Sequence, residues 1–246
     1  MNKLVLQIKT QPISYPIIIG SEFSHNLSKI LSNNSIKFKK CLLVIDTKVP
    51  QKKLNKILKS FKKQKIFTIY LNANELNKSQ KSVDKILNIL LKNNFLRNDC
   101  LISIGGGIVG DLSGYTASIF KRGMKFVNVP TTLLSQVDSS IGGKTGVNSL
   151  YGKNLVGTFF QPNLVLCDTA FLKSLPKRQM ISGYAEILKH SLIFDKKFFL
   201  YLDKNFSKIL NLESPYIENS IKYSCLAKRK IIQVDEKEKN IRKVLN

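Results

Sequence analysis

The sequence has no apolar run that approaches the roughly 18 residues of a membrane-spanning helix, which argues against a membrane protein. Residues 1–9 alternate apolar and polar side chains, so they lack the apolar block of a signal peptide. No C-x-x-C pair occurs, and the cysteines stand far apart, at Cys41, Cys100, Cys167 and Cys225. We therefore expect reduced core cysteines in a cytoplasmic protein.

Acidic residues and arginines are also scarce. The chain has 16 Asp and Glu against 40 Lys and Arg, which gives a formal net charge of +24. Such an excess is common in proteins that bind nucleic acid. However, only five of the basic residues are arginines, and the lysines are spread along the chain instead of being clustered with aromatic residues. We therefore interpret the charge as solvated, lysine-rich surface and expect no nucleic-acid partner.

The chain of 246 residues is long enough for one full domain and part of a second. Apolar runs predict strands near residues 4–8, 15–19, 41–45, 66–71, 100–104, 127–129 and 164–167, and amphipathic stripes predict helices at 49–61 and 82–91. Such alternation is typical of a Rossmann-like α/β domain with a mostly parallel sheet. After Pro176 the pattern predicts only helices, at 178–191, 196–210 and 215–234. We expect a cofactor-binding α/β domain at 1–176 and the start of an all-helical second domain at 177–246.

A glycine-rich turn follows the predicted strand at 100–104. Its sequence is Gly105-Gly106-Gly107-Ile108-Val109-Gly110-Asp111, and Asp46 ends an earlier predicted strand. Glycines let a diphosphate approach the backbone, and the next helix presents unpaired N–H groups. A tight strand-to-helix turn would use the same residues. The two strand ends together favour a dinucleotide site.

A second glycine segment, Gly142-Gly143-Lys144-Thr145, is similar to a P-loop only in part. The P-loop pattern requires a glycine five residues before the Gly-Lys pair, and Asp138 occupies that position. We therefore interpret Lys144 as a point charge for a substrate anion and reject a nucleotide kinase.

Histidines number only two, which limits any metal site. Glu186 and Lys189 are three residues apart on a predicted helix, and an isolated pair of this kind is commonly a solvated ion pair. His190 lies one turn beyond Glu186, so a Glu–His metal pair is geometrically possible. The other histidine, His25, is far away in the sequence, whereas a catalytic zinc usually takes three protein ligands.

Taken together, these segments resemble the 3-dehydroquinate synthase family from about Tyr15 to the last residue. The most specific part of the resemblance is Val129-Pro130-Thr131-Thr132-Leu133-Leu134-Ser135-Gln136-Val137-Asp138-Ser139-Ser140 with Gly142-Gly143-Lys144. The resemblance implies a lyase of the shikimate pathway and aromatic amino acid biosynthesis. This lyase converts 3-deoxy-D-arabino-heptulosonate 7-phosphate, a phosphorylated keto acid, to 3-dehydroquinate and phosphate with catalytic NAD and a divalent metal.

The resemblance also implies roles for individual residues. It places Asp46 at the adenosine ribose of NAD and assigns the rest of the cofactor to Glu75, Lys78, Gly107, Ile108, Val109, Gly110, Asp111, Thr131, Thr132, Lys144, Lys153, Phe171, Leu172, Lys173 and Ser174. It assigns the substrate to Arg122, Asp138, Lys144, Lys153, Asn154, Lys189, Lys228, Arg242 and Asn246. Arg122 resembles a position that reaches a partner's site, so we expect a homodimer.

The same resemblance implies a zinc or cobalt ion bound by Glu186 and by two histidines from motifs that follow Asn246. Two of the three expected ligands are therefore missing from this chain, and His190 is not a ligand position in the family. We expect very slow turnover by the chain alone. Three alternatives stay open: a related sugar-phosphate cyclase, a non-catalytic NAD-binding remnant and, last, a nucleic-acid binder.

Overall fold

The computed structural model describes residues 3–9 and 14–245. The strands of this part of the chain are β1 (Leu4–Lys9), β2 (Ser14–Gly20), β3 (Lys40–Asp46), β4 (Lys65–Leu71), β5 (Cys100–Gly105), β6 (Lys125–Pro130), β7 (Lys144–Ser149), β8 (Gly152–Phe159) and β9 (Leu164–Asp168). Seven of them form one sheet in the order β1-β2-β9-β6-β5-β3-β4. The predicted polar turn near Thr10 lies outside the described residues.

The sheet is mostly parallel, as the sequence predicts. β1 and β2 pair antiparallel, whereas β2–β9, β9–β6, β6–β5, β5–β3 and β3–β4 pair parallel. Residues 41–45 of β3 and 100–104 of β5 are fully buried, because layers cover both faces of a parallel sheet. β4 lies at the edge of the sheet, and its residues are exposed or half-buried except Leu71, which is buried.

Seven helices accompany the described strands: α1 (Leu27–Asn33), α2 (Gln51–Leu58), α3 (Gln80–Lys92), α4 (Gly107–Ile119), α5 (Lys177–Phe194), α6 (Lys196–Leu210) and α7 (Tyr216–Val234). The predicted apolar stripe of α3 is confirmed, since Val83, Ile86 and Leu90 are buried. No helix within 3–9 and 14–245 combines the length and apolarity needed to cross a membrane.

The three carboxy-terminal helices pack against one another and against the β1–β2 side of the sheet. One hydrophobic cluster joins Ile17 of β2, Val165 of β9, Ile187 of α5 and Ile221 of α7. Gly183 on α5 permits this approach, because a Cβ there would lie 2.6 Å from Leu133 Cβ. The α/β fold followed by helices is therefore confirmed, and the domain division at Pro176 stays a prediction.

The sequence pattern gives no sign of the hairpin β7–β8. Its strands pair antiparallel, with Gly146 opposite Gly157, and β8 is largely exposed. Glycines make it possible, because a Cβ at Gly157 would lie 2.0 Å from the Thr145 carbonyl oxygen and one at Gly114 of α4 would lie 2.5 Å from Thr145 Cγ2. The hairpin therefore lies against α4 and places Lys144 and Asn154 on the same side as Asp111 of that helix.

Candidate functional site

A cleft of about 510 Å³ opens at the carboxyl ends of the parallel strands. The residues that line it follow β3, β4, β5, β6 and β9 or belong to the start of α5, and they are Asp46, Lys48, Val49, Pro50, Ala73, Gly106, Gly107, Ile108, Thr131, Thr132, Phe171, Ser174, Leu175, Pro176 and Gln179. Open α/β sheets bind ligands at this edge. Asp46 holds the turn after β3 by accepting a hydrogen bond from the Lys48 backbone N–H at 3.1 Å.

Two glycines of the glycine-rich turn allow close approach at different places: Gly106 at the cleft and Gly110 between α4 and the sheet. Gly106 precedes α4, and a Cβ there would lie 3.2 Å from Thr132 Cγ2, which faces the cleft. A Cβ on Gly110 would instead lie 3.1 Å from Asn128 Nδ2 on β6, so Gly110 permits close packing of α4 on the sheet. The first N–H groups of α4 have no partner within the helix and form a natural anion site.

The structure brings only part of the predicted cofactor set into this cleft. Asp46, Gly107, Ile108, Thr131, Thr132, Phe171 and Ser174 line it. Val109, Gly110 and Leu172 are buried in the packing around it, and Lys173 pairs with Glu22 at 3.6 Å. Glu75 and Lys153, whose side chains are both exposed, form an ion pair of 3.4 Å outside the cleft. The sequence motifs do not identify two further residues that line the cleft. Pro50 directly precedes α2, and Gln179 lies in the first turn of α5.

A second cavity of about 540 Å³ lies at the other side of the first turns of α4. Its charged side chains and one amide come from six segments: α4, the π-helical turn Ser135–Ser139, the hairpin, α7, the loop that follows α7 and the 3-10 turn Ile241–Leu245. These side chains belong to Asp111, Asp138, Lys144, Asn154, Lys228, Glu238 and Arg242. The cavity therefore unites most of the predicted substrate residues.

On one wall of this cavity, Lys78 bridges Asp111 and Asn154. Its Nζ lies 2.6 Å from Asp111 Oδ2 and 2.5 Å from Asn154 Oδ1. Asn154 reaches this position with a left-handed backbone, φ 58°. Burial raises the pKa of Asp111 to about 6, although the Lys78 ammonium opposes the shift. Asp111 therefore gains its charge near neutral pH.

The other wall is held by ion pairs within the chain. Lys228 Nζ lies 2.5 Å from Asp138 Oδ1 and 2.6 Å from the Asp138 carbonyl oxygen. Burial raises the pKa of Asp138, but Lys228 outweighs it and the net pKa lies below the usual value. Lys144 pairs with Glu238, and Arg242 donates to the carbonyl oxygen of Gly142 at 2.9 Å. The cavity thus places cations beside carboxylates that a bound anion can replace.

The charge of Asp111 predicts pH-dependent anion binding. Because its pKa is about 6, Asp111 is mostly neutral at pH 5 and mostly ionised at pH 7. We expect the affinity for sulfate, which stays dianionic over this range, to fall about fivefold as pH rises from 5 to 7. The raised pKa also means that stability contributed by this proton is present at low pH and is lost as pH rises from about 4 to 6.

Calorimetric titration with sulfate measures this dependence, and Asp111→Asn is the matched variant because it keeps the shape of the side chain. We expect the variant to bind sulfate with nearly the same affinity at both pH values. An equally steep fall in the variant would show that another group controls the affinity.

Glu186, Lys189 and His190 form a separate cluster on α5. Glu186 Oε1 lies 2.7 Å from Lys189 Nζ and 3.2 Å from His190 Nε2. Burial raises the pKa of Glu186, but these two neighbours outweigh it and the net pKa is lowered. Lys189 also donates to the Leu245 carbonyl oxygen at 2.6 Å, and the Asp138 carboxylate lies within 4.8 Å of both Glu186 and His190. An imidazole and two carboxylates are chemically suited to a divalent metal.

Three of the predicted substrate residues that the structure describes do not line the second cavity: Arg122, Lys153 and Lys189. Arg122 is exposed, with a left-handed φ of 60°, beside Lys121 and Gly123, which also have positive φ. It does not line the second cavity. Asn246 lies outside the described residues.

Comparison with known proteins agrees with this geometry. Residues 68–182 match the family model of the 3-dehydroquinate synthase N-terminal region, and residues 183–246 match that of the C-terminal region. The 3-dehydroquinate synthase of Pelagibacter ubique (strain HTCC1062) is 58% identical over 246 residues, which are 100% of this chain and 67% of the relative. That of Buchnera aphidicola subsp. Cinara cedri is 43% identical over 243 residues, 98% of this chain and 66% of the relative. The chain thus spans about two thirds of these relatives.

Solved structures show the same fold. A 2-deoxy-scyllo-inosose synthase, complexed with carbaglucose-6-phosphate, NAD+ and Co²⁺, superposes with a TM-score of 0.86 at 24% identity, covering 98% of this chain and 66% of that one. The 2-epi-5-epi-valiolone synthase of Streptomyces hygroscopicus, with NAD+ and Zn²⁺ bound, gives 0.86 at 24% identity, covering 96% and 66%. The family models and the identity to curated relatives go further than the fold: this chain belongs to the 3-dehydroquinate synthase family.

Proposed function

We propose that this chain is the cofactor- and substrate-binding part of a 3-dehydroquinate synthase, which converts 3-deoxy-D-arabino-heptulosonate 7-phosphate to 3-dehydroquinate and phosphate. The observation that carries the proposal is the position of α4 between the two cavities. Gly107 and Ile108 line the strand-end cleft, and Asp111, one turn later, lines the cationic cavity. A dinucleotide bound along the cleft would present its reactive end to a substrate in the cavity.

In the cleft, the chain's groups match the parts of NAD. Asp46 would accept hydrogen bonds from the adenosine ribose hydroxyls, and the first N–H groups of α4 would bind the diphosphate. Thr131, Thr132 and Phe171 line the remaining wall. NAD itself would supply a hydride acceptor and donor. The chain's contribution is to bind and orient it.

In the cavity, the cations match the two anionic groups of the substrate. We propose that Lys144, Lys228 and Arg242 bind the phosphate and the carboxylate, together with Asn154, Lys153 and Lys189. In the structure, Glu238 pairs with Lys144 and Asp138 pairs with Lys228. Substrate anions would take the place of these carboxylates, which favours a doubly anionic substrate over a neutral sugar. This favours dehydroquinate formation over the related sugar-phosphate cyclase reactions.

We further propose that Glu186 binds a divalent metal, which would polarise the reacting hydroxyl and carbonyl groups. The carboxylate is half-buried at the boundary between α5 and the turn that carries Asp138. We also propose a homodimer, because three consecutive residues with positive φ, Lys121 to Gly123, hold Arg122 away from the chain's own cavity.

Calorimetry with NAD tests the cofactor site. We expect Gly106→Val to weaken NAD binding at least tenfold, because its side chain would contact Thr132 and fill the approach to the diphosphate. Ser32→Val on α1 is a control, since it adds a branched side chain at an exposed helix position away from the cleft. NAD binding by Gly106→Val with the affinity of the parent chain would contradict the assignment of the cleft.

A further inference from the structure

One carboxylate holds the loop that follows α7. Asp235 is buried directly after the last residue of that helix. Its Oδ1 accepts a hydrogen bond from the backbone N–H of Lys239 at 2.9 Å, and its Oδ2 accepts from those of Asn240 at 2.7 Å and Arg242 at 3.0 Å. The negative charge strengthens all three hydrogen bonds. Asp235 therefore fixes the backbone of the loop up to Arg242, whose guanidinium lines the second cavity.

The side chain of Arg242 depends on this backbone position. It is 2% exposed, and its two terminal nitrogens donate to the carbonyl oxygens of Glu236 and Gly142, the latter at 2.9 Å. Its guanidinium carbon lies 5.7 Å from the centre of the Phe159 ring. A guanidinium presents its donors in a fixed planar arrangement. These contacts therefore give it one direction as long as the backbone at Arg242 does not move.

The same loop also contacts the segment that precedes Lys144. Glu236 Oε1 accepts a hydrogen bond from Gln161 Nε2 at 2.8 Å. Gln161 in turn lies directly against Gly143, where a Cβ would be 2.8 Å from the Gln161 side chain. Because Gly143 leads directly into Lys144, the position of the loop is linked to that of this second cation of the cavity.

We propose that Asp235 is a positioning residue of the anion site, which acts on substrate binding through Arg242 and does not itself touch the substrate. Its carboxylate does not line the cavity, and it accepts its hydrogen bonds from backbone N–H groups. The proposal rests on the substrate role proposed for Arg242. It adds a residue to which neither the motifs nor the family resemblance assigns a function.

The sign of the effect separates positioning from charge. Removal of a nearby negative charge by itself strengthens the binding of an anion. If Asp235 positions Arg242, however, its removal weakens anion binding, because the guanidinium loses its fixed direction and must be ordered when the anion binds. The two explanations therefore predict opposite changes in sulfate affinity.

Calorimetry with sulfate at pH 7 measures this change on the whole chain, and circular dichroism shows that each variant is folded. We expect Asp235→Ala to weaken sulfate binding about tenfold and Asp235→Asn, which keeps one acceptor oxygen, about threefold. In Asp235→Ala, the backbone N–H groups of residues 239–242 should exchange with deuterium about tenfold faster or more. Asp195→Ala is the matched control, because Asp195 accepts a hydrogen bond from the Lys197 backbone N–H at the start of α6 and does not contact this loop. It should leave sulfate binding unchanged.

A double variant shows whether the effect passes through Arg242. In an Arg242→Met chain, Asp235→Ala should cause no further loss of sulfate binding, because the residue through which it acts is gone. An equal loss in both backgrounds, or sulfate binding by Asp235→Ala as tight as that of the parent chain, overturns the positioning role and leaves that of Arg242 standing. Unchanged deuterium exchange in Asp235→Ala also overturns it. Sulfate binding by Arg242→Met with the affinity of the parent chain would instead contradict the substrate role of Arg242 in the proposed function, and the role of Asp235 with it.

Discussion

Replacing Asp168 with alanine is expected to destabilise the fold by about 4 kcal/mol, a large part of the total stability of a typical domain. The carboxylate is fully buried at the end of β9. Its Oδ1 accepts hydrogen bonds from the backbone N–H groups of Glu22 at 2.8 Å and Ala170 at 3.0 Å. Its Oδ2 accepts from those of Phe23 at 3.0 Å and Ser24 at 2.8 Å.

The size of the effect follows from what the substitution leaves behind. Alanine has no carboxylate, so the substitution removes all four hydrogen bonds that the backbone N–H groups donate to Asp168. These four donors then lack a partner in a largely buried location. The same carboxylate joins the turn after β2 to the residues that follow β9, including Phe171 in the cofactor cleft. We therefore also expect weaker NAD binding.

Urea unfolding followed by circular dichroism measures the free energy of unfolding. Asp203→Ala on α6 is the matched control, because that aspartate is exposed, and it should change stability by less than about 0.5 kcal/mol. A loss below about 1 kcal/mol in Asp168→Ala would show that water replaces the carboxylate without difficulty.

The sequence predicts the sheet well because its signals are local. Continuous apolar runs identify β3 and β5, whose residues are buried on both faces, and the apolar stripe of α3 gives its inward face. The hairpin β7–β8 has no such signal. Its two strands are rich in glycine and polar residues, and tight backbone pairing at Gly146 and Gly157 creates it.

The site is predictable in composition but not in arrangement. The motifs identify Asp111 and Lys144, and the family resemblance adds Lys228. Their partners are distant in sequence: Lys78 lies 33 residues from Asp111, and Asp138 lies 90 residues from Lys228. The contact between His190 and Ser224 spans 34 residues. Only tertiary packing brings these groups together, so no spacing rule within one segment reveals them. Three of the four donors to Asp168, those of Glu22, Phe23 and Ser24, are missed for the same reason.

Replacing Lys228 with methionine should separate binding from stability in the cationic cavity. The Lys228 side chain is 7% exposed and that of its partner Asp138 31%. Removing one member of a buried ion pair leaves the other charge without compensation, at a cost of about 3 kcal/mol. The cavity also loses a cation, so sulfate affinity should fall more than tenfold.

The double variant Lys228→Met with Asp138→Leu distinguishes the two effects. An apolar pair of similar volume often restores the stability that a single change removes, so we expect urea unfolding close to that of the parent chain. Removing the Asp138 charge favours sulfate, but the double variant still lacks the Lys228 donor, so we expect its sulfate affinity to stay below that of the parent chain. Lys230→Met, at an exposed position of α7, controls for loss of net charge and should change neither measurement. Sulfate affinity that recovers in the double variant would show that Lys228 supports the fold and does not bind the anion, and the substrate role proposed for it would then be wrong.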